Sequence, residues 1–254
     1  MLPATTRSKT EHRLSRPSRV AEEIKQWVVE QGLLPGDRLP GETELMARFA
    51  MAKGTIREAM RILEAQGLIK TRTGPGGGSF VHEVSRGRAK ALLGNYFYFK
   101  DLTVGDIYQL RRALEPELAA SLAGTLSQEV LAELEANIAQ YSEPATTLDE
   151  ERAQHVASLR FHAILAEQAD NSLLSFVIDF MVNLLSDLTV HRKLYEPINR
   201  ELWAKGRDYQ ARLVMALRAG DKGAARAVMT AHMDTASRLM RGQEVEMMKR
   251  FIDE

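Results

Sequence analysis

The stretch DRLPGETELMARFAMAKGTIREAMRILEAQGLIKTRTGPGGGSFV, residues 37–81, decides how the chain is read. A first short helix is expected just after Pro40, with Thr43 and Glu44 in its opening turn and Leu45, Met46 and Phe49 as its apolar face. A second is expected from Lys53 to Gln66. There Ile56, Ala59, Met60 and Leu63 fall at i, i+3, i+4 and i+7, the spacing of one buried stripe. Gly67 is placed to cap it, because glycine enters the left-handed region without a Cβ clash. Leu68 to Arg72 alternates at period two, as a half-buried strand should, and Ser79-Phe80-Val81 is able to pair back with it. Helix, turn, helix, strand, glycine-rich tip and strand outline a winged helix-turn-helix.

The face of the second helix away from its apolar stripe carries Lys53, Thr55, Arg57 and Arg61. A short helix with an apolar back and such a front fits a DNA major groove, where Arg and Lys meet guanine acceptors or phosphates and Thr supplies a short donor. From Arg48 to Arg72 there are six Lys or Arg against two Glu, although the whole chain has a formal net charge of zero. A basic solvated face on an ordinary helical hairpin would explain the charge alone. It would not explain the ordered series of elements.

These residues resemble the DNA-binding domain of GntR-type bacterial regulators. The resemblance rests on Leu34-Pro35-Gly36-Asp37-Arg38-Leu39-Pro40, on IREAMRILEAQGLI from Ile56 to Ile69, and on the GGGSFV ending at Val81. Carried over position by position, it implies DNA contacts from Thr43, Lys53, Thr55, Arg57 and the wing-tip glycines Gly76, Gly77 and Gly78. Thr43 stands where that family usually has a groove-reading Arg, and Ala52 where a Ser caps the recognition helix. Lys53 and Gly54 replace a more usual Arg and Thr. DNA binding is expected to survive these changes; an operator sequence inferred by analogy is not.

Outward from this stretch, residues 1–16 are polar, with Arg7, Lys9, Arg13 and Arg16 against one Glu. They read as a disordered tail, or as an arm that touches phosphate without reading sequence. From Pro17 a helix is expected with Val20, Ile24, Trp27 and Val28 on one face, Ser18 as its cap and Gly32 as its end. Trp27 reads as core. The winged domain thus covers 17–84 and a polar linker 82–87. Beyond it the chain reads as all-helical over 88–250, with helices near 88–96, 103–123, 127–141, 148–169, 171–194, 198–219 and 221–250. Residues 1–85 hold 13 basic against 10 acidic side chains, and the remainder 21 against 24. The fold class is therefore mainly α: a small α+β winged domain and an all-α bundle. At 254 residues with 44% hydrophobic and 27% charged residues there is material for two ordinary domains.

Three segments of the helical half resemble the FCD effector domain of one GntR branch, the FadR-type. They are Tyr108 to Pro116, Arg160-Phe161-His162 with Asn171, and Ala216 to Asp221 through Ala231-His232-Met233. Many members of that branch hold a divalent metal on one Asp and three His. Here the corresponding positions are Ser158, His162, Gln210 and His232, so a Zn or Ni set is incomplete, and any metal would rest on His162 and His232. A tight Zn site wants about four N, S or carboxylate ligands. No cofactor is otherwise implied. The resemblance implies instead a pocket for a small anionic metabolite, lined by Arg111, Ser158, His162, Gln210 and His232. Arg111 would offer its planar fork to a carboxylate, with Tyr209 as an extra donor. His155 and His191 have no partner at metal spacing and receive no role. Met215, Met229, Met233 and Met240 read as adaptable core.

The absence of cysteine removes disulfides, thiolate metal sites and Cys nucleophiles, and fits a cytoplasmic protein. No unbroken apolar run of 18 residues is present and the N-terminus lacks a signal-type apolar core, so no membrane span is expected. GPGGGS lacks the Lys of a phosphate loop, and no nucleophile elbow or zinc-helix motif occurs, so an enzyme is not expected. The expectation is a transcriptional regulator of the repressor kind. It would bind a near-palindromic duplex as a homodimer, with operator affinity set by a small anionic effector. The alternative is an effector-independent DNA-binding dimer whose bundle is only a dimerisation scaffold. A polar cavity in the bundle favours the first, a dry and filled bundle the second.

Overall fold

A computed structural model of the chain describes residues 15–98 and 100–253. It forms two compact units that divide between Ala89 and Lys90. The tail expected over 1–16 lies outside the described residues up to position 14, while Ser15 and Arg16 belong to the first helix.

The first unit opens with α1 (Arg16–Glu30). Its cap is Ser15, not Ser18: the Ser15 hydroxyl accepts from the Ser18 backbone N–H at 3.2 Å. Pro17 sits in the first turn, where its missing N–H costs nothing. Val20, Ala21 and Ile24 are fully buried, and Trp27 packs half-buried against them with the Arg48 guanidinium 4.8 Å above its ring. α2 (Glu42–Phe49) and α3 (Lys53–Gln66) follow, and Leu45, Ile56, Ala59 and Leu63 complete the same core. Gly67 takes φ +82° and its N–H reaches back to the carbonyls of Leu63 and Glu64, closing α3.

β1 (Ile69–Arg72) and β2 (Gly78–Val81) pair antiparallel in the register Ile69 to Val81 and Arg72 to Gly78. The alternation expected along β1 does not appear in its burial. Ile69 is buried, but Thr71 is exposed, because the core ends under the first residue of so short a ribbon. Leu39 N–H donates to the Ser79 carbonyl at 2.8 Å, so the chain entering α2 extends the ribbon by one bridge.

The second unit is helical throughout: α4 (Arg86–Tyr98), α5 (Val104–Leu122), α6 (Gln128–Ala139), α7 (Leu148–Glu167), α8 (Ser172–His191), α9 (Arg200–Ala219) and α10 (Lys222–Asp253). α4 starts inside the expected linker, and the division between the two units falls within it. α6 stops two residues short of expectation, which frees Tyr141 to turn into the core. α8 stops at His191, and Lys193 takes φ +50° in the bend that follows. α5 lies along α10, α10 along α9, and α7 along α8. Side-chain caps on Thr103, Ser127, Thr147, Asn171 and Asn199 start α5 to α9, each oxygen accepting an otherwise orphaned N–H. Gly124 and Gly220, both at positive φ, let the ends of α5 and α9 approach until a Cβ on Gly124 would lie 3.2 Å from the Gly220 Cα.

α8 has 20 residues and a mean hydropathy of 1.7, enough by length and composition to cross a membrane despite Asp179 and Asp187. In this fold Ile178, Met181, Val182 and Leu185 on α8 are buried in the bundle, so part of that apolar character faces the core.

Candidate functional site

The first unit presents one polar face. Lys53 and Arg57 project exposed from the opening turns of α3, Thr55 is half-buried beside them, and Thr43 is exposed on α2. Gly76, Gly77 and Gly78 lie at the wing tip. Gly76 and Gly78 have φ of +77° and +145°, and a Cβ on Gly77 would meet the Arg72 carbonyl oxygen at 2.6 Å, so the tip tolerates only glycine.

Two residues that the sequence reading passed over organise this face. Glu42, on the first turn of α2, accepts from Arg57 Nε at 2.7 Å and lies 3.6 Å from Lys53 Nζ. The Arg57 hydrogen bond and the two positive charges hold the Glu42 carboxyl below its ordinary value and raise Arg57. Arg38 donates through Nη2 to the Gly77 carbonyl at 2.6 Å and so braces the wing tip. Ala52 precedes α3 without any side-chain cap, as its methyl requires.

In the second unit Arg111, Ser158, His162 and His232 line one cavity of about 60 Å³. Gln210 does not line it. It lies fully buried behind the wall, where its Nε2 donates to the Ser158 carbonyl at 3.1 Å and its Oε1 accepts from the Tyr141 hydroxyl at 2.5 Å. Tyr209 is also off the wall, its ring tilted against His232 with centroids 5.5 Å apart. His155 does line the cavity, 3.4 Å from Glu151, although its spacing gave it no role.

The residue that joins the site is Glu115, one turn after Arg111 on α5 and 1% exposed. One of its oxygens takes the Arg111 Nε–H, and the other lies 2.5 Å from His162 Nδ1. Burial works against the Glu115 charge, but Arg111 and then His162 outweigh it and hold the carboxyl well below the usual carboxylate range. Burial lowers His162, with Arg111 adding to the effect and Glu115 opposing it. Burial, the neighbouring His162 and Arg111 push His232 well down. Both imidazoles are therefore neutral near pH 7, and the hydrogen-bond pattern then assigns their tautomers. The Glu115 carboxylate only accepts, so His162 carries its proton on Nδ1 and accepts at Nε2. His232 Nε2 lies 3.2 Å from that atom and must donate to it. A relay of Arg111, Glu115, His162 and His232 results. Its signal in the sequence was the i, i+4 spacing of Arg111 and Glu115.

This arrangement changes two expectations. Arg111 does not offer a free fork: Nε is committed to Glu115, while Nη2 is buried without a hydrogen-bond partner. The residues also do not fit a Zn or Ni centre. Each imidazole Nε2 is spent on the other, both Glu115 oxygens are engaged, and Ser158 is bonded to Gln210. Among the described residues no three His, Cys, Asp or Glu side chains gather as a metal would require.

With this geometry in view, comparison with known proteins gives consistent matches. Residues 17–81 match the family model "Bacterial regulatory proteins, gntR family", and residues 106–235 match the FCD domain, about half of the chain. The Exu regulon transcriptional regulator of Escherichia coli K12 is 25% identical over 216 residues, 85% of this chain and 80% of the relative. The HTH-type transcriptional repressor NanR of Salmonella schwarzengrund is 26% identical over 234 residues, 86% of this chain and 81% of the relative. The solved structure of a Streptococcus agalactiae GntR superposes with a TM-score of 0.52 at 21% identity, covering 87% of this chain and 99% of that one, a likeness of fold alone.

Proposed function

The chain belongs to the gntR family of bacterial regulatory proteins, in the branch that carries an FCD domain, and from that membership we propose a homodimeric, effector-responsive repressor. As a regulator of this type it is a DNA-binding protein of transcription and not an enzyme. The proposal adds that Lys53, Thr55 and Arg57 enter a major groove, with Thr43 and the glycine wing tip on the flanking backbone. Glu42 already holds Arg57 by Nε, which leaves the two terminal nitrogens of its guanidinium to meet guanine. One recognition helix covers only a few base pairs, so two half-sites related by a twofold axis give a near-palindromic operator. Repression follows the role of the NanR relative, a transcriptional repressor, and a cytoplasmic location follows from a chromosomal target.

The observation that carries the effector half is a cavity in the bundle that Arg111, Ser158, His162 and His232 help to line. A scaffold that only dimerises gains nothing from a buried Arg–Glu–His–His relay bordering empty space, since filling that space with methyl groups would be more stable. Arg111 Nη2 supplies a charged donor for a small anion.

Selection of duplexes by the full chain from a random pool tests the DNA half. A recurring near-palindromic site with a symmetrical footprint is expected; an unsymmetrical footprint together with a monomeric mass at micromolar concentration would remove the dimer. Titration of small acids into that complex tests the other half, with release of the duplex as the expected result. A complex indifferent to every acid that binds the free protein would leave only the scaffold reading.

A further inference from the structure

The wing tip is the part of the proposed DNA face that has no charged side chain of its own. From Thr73 to Val81 the ribbon reads TGPGGGSFV, without one Lys, Arg, Asp or Glu. A cation reaches the tip from elsewhere in the chain. The segment entering α2 runs beside β2: Gly36 N–H donates to the Val81 carbonyl at 2.9 Å, and Val81 N–H to the Asp37 carbonyl at 2.8 Å. Arg38, bridged to Phe80 in the same pairing, is thereby carried alongside the tip, where its Nη2 donates to the Gly77 carbonyl at 2.6 Å. Gly78 makes room for it, since a Cβ at that position would lie 2.9 Å from Arg38 Nε.

Arg38 is exposed, and no carboxylate among the described residues pairs with it. A guanidinium carries several N–H donors, so the bond to Gly77 leaves most of them unspent. Arg38 also lines one groove with Glu42, Arg57 and Arg61, which sets it on the side of α3 assigned above to DNA. The neighbouring cations are differently placed. Arg57 is held by Glu42, Arg61 lies 3.2 Å from Glu58, and the Arg72 guanidinium stands 4.6 Å above the Phe80 ring. Arg38 is thus the cation at the tip with neither a carboxylate nor a ring to offset it. A narrow minor groove, as over A·T runs, concentrates negative potential and draws Arg side chains in. A·T pairs show only acceptors there, whereas G·C adds the guanine N2 amino donor, which opposes a guanidinium. A tip made of glycine is thin enough to bring such a group close.

We propose that Arg38 reads the minor groove bordering each half-site and selects A·T over G·C pairs there, with the glycine tip beneath it as its support. This rests on the DNA face proposed above and adds a specificity-determining residue that lies outside both α3 and the ribbon. The selection is made by charge and donor placement, so it is degenerate: A·T and T·A serve equally.

The duplex that the full chain selects from a random pool supplies the probe. Its core is kept, and the pairs bordering each half-site are set to A·T, to inosine·C or to G·C. Inosine lacks the guanine N2 amino group, so inosine·C keeps the major-groove face of G·C and the acceptor-only minor-groove face of A·T. The wild type is expected to bind the A·T and inosine·C duplexes alike and the G·C duplex at least about fivefold more weakly. Arg38→Ala should bring all three within about twofold of one another. Arg38→Gln is the second variant: it keeps an N–H for the Gly77 carbonyl without the charge, and should lose the preference in the same way. It alone decides the matter should the alanine loosen the ribbon and bind nothing. A wild type indifferent to the bordering pairs, or one that treats inosine·C as G·C, would overturn the inference. So would a uniform loss on all three duplexes, which makes Arg38 a brace or a phosphate contact, and so would a preference that survives in Arg38→Gln. Failure of the wild type to select any duplex would instead remove the DNA face proposed above, and this inference with it.

Discussion

Glu115 meets two partners of different charge behaviour at once, the permanently charged Arg111 and the neutral His162, and most of the residue-level consequences follow from that. Glu115→Gln keeps the shape but leaves Arg111 as an uncompensated buried cation, so a loss of about 3–5 kcal/mol is expected in denaturant melts. The folded carboxyl lies below the usual range, so its contribution is present above an unfolded value of 4.5 and is lost as pH falls beneath that. Glu115→Gln should flatten this acid limb. His232 behaves in the opposite chemical sense. Its folded pKa lies well below 6.5, so below that pH the unfolded chain takes up the proton and the folded chain does not. Stability should therefore fall as pH drops from about 7 toward 5.5, by at most about 1.4 kcal/mol per pH unit for this group. His232→Gln should reduce that slope in melts across the same range; an unchanged slope would show that the proton goes elsewhere. In the other unit, Arg57→Ala should weaken specific duplex binding by about 1–3 kcal/mol if Arg57 reads a base, with little effect on random duplex. Equal losses on both would make Arg57 a phosphate contact.

At the scale of elements, the caps separate helices that begin well from those, α2 and α3, that lack a side-chain cap. Thr103 and Asp106 close a reciprocal box at the start of α5, and Thr147 and Glu150 do the same for α7. α3, the helix assigned to the groove, begins at Ala52 with no side-chain partner for its first N–H groups. Ala52→Ser should add about 1 kcal/mol to the stability of the first unit, and Thr103→Ala should cost the second about the same, both read as midpoint shifts in urea. The uncapped N–H groups of α3 also remain open to a phosphate, since a helix N-terminus carries partial positive charge. Stabilisation by Ala52→Ser with unchanged DNA affinity would show that they are not used in that way.

For the whole molecule the proposed DNA and effector sites fall in separate units, and any link between them is a free energy shared by two sites. An effector that weakens operator binding tenfold must itself be bound tenfold more weakly by the DNA complex, about 1.4 kcal/mol in each direction. Paired titrations, acid into complex and duplex into acid-saturated protein, check that equality. Because the donor set around His162 and His232 does not suit Zn or Ni, a chelator should leave both melting temperature and acid affinity unchanged. Stoichiometric metal in protein purified without added metal, lost together with stability on chelation, would contradict the tautomer assignment of the imidazole pair.

The sequence by itself determined the winged unit almost to the residue. α3 runs from Lys53 to Gln66 as its apolar spacing required, and Gly67 takes the left-handed turn that ends it. These features are local: a helix face and a cap depend on residues three or four positions apart. The end of α6, the Ser15 cap and the exposure of Thr71 were legible only to within a residue or two, because they turn on which neighbour wins a single N–H or where the core stops. Only the tertiary structure decided the site in the bundle. Glu115 reaches His162 across 47 positions, Tyr141 reaches Gln210 across 69, and His162 reaches His232 across 70. Periodicity records that a position is buried but not what it is buried against. That is why Arg111 was read as a free anion clamp, why Glu115 was passed over, and why the unmet atoms of Gln154 and Thr189 came to light only when five helices were set around one space.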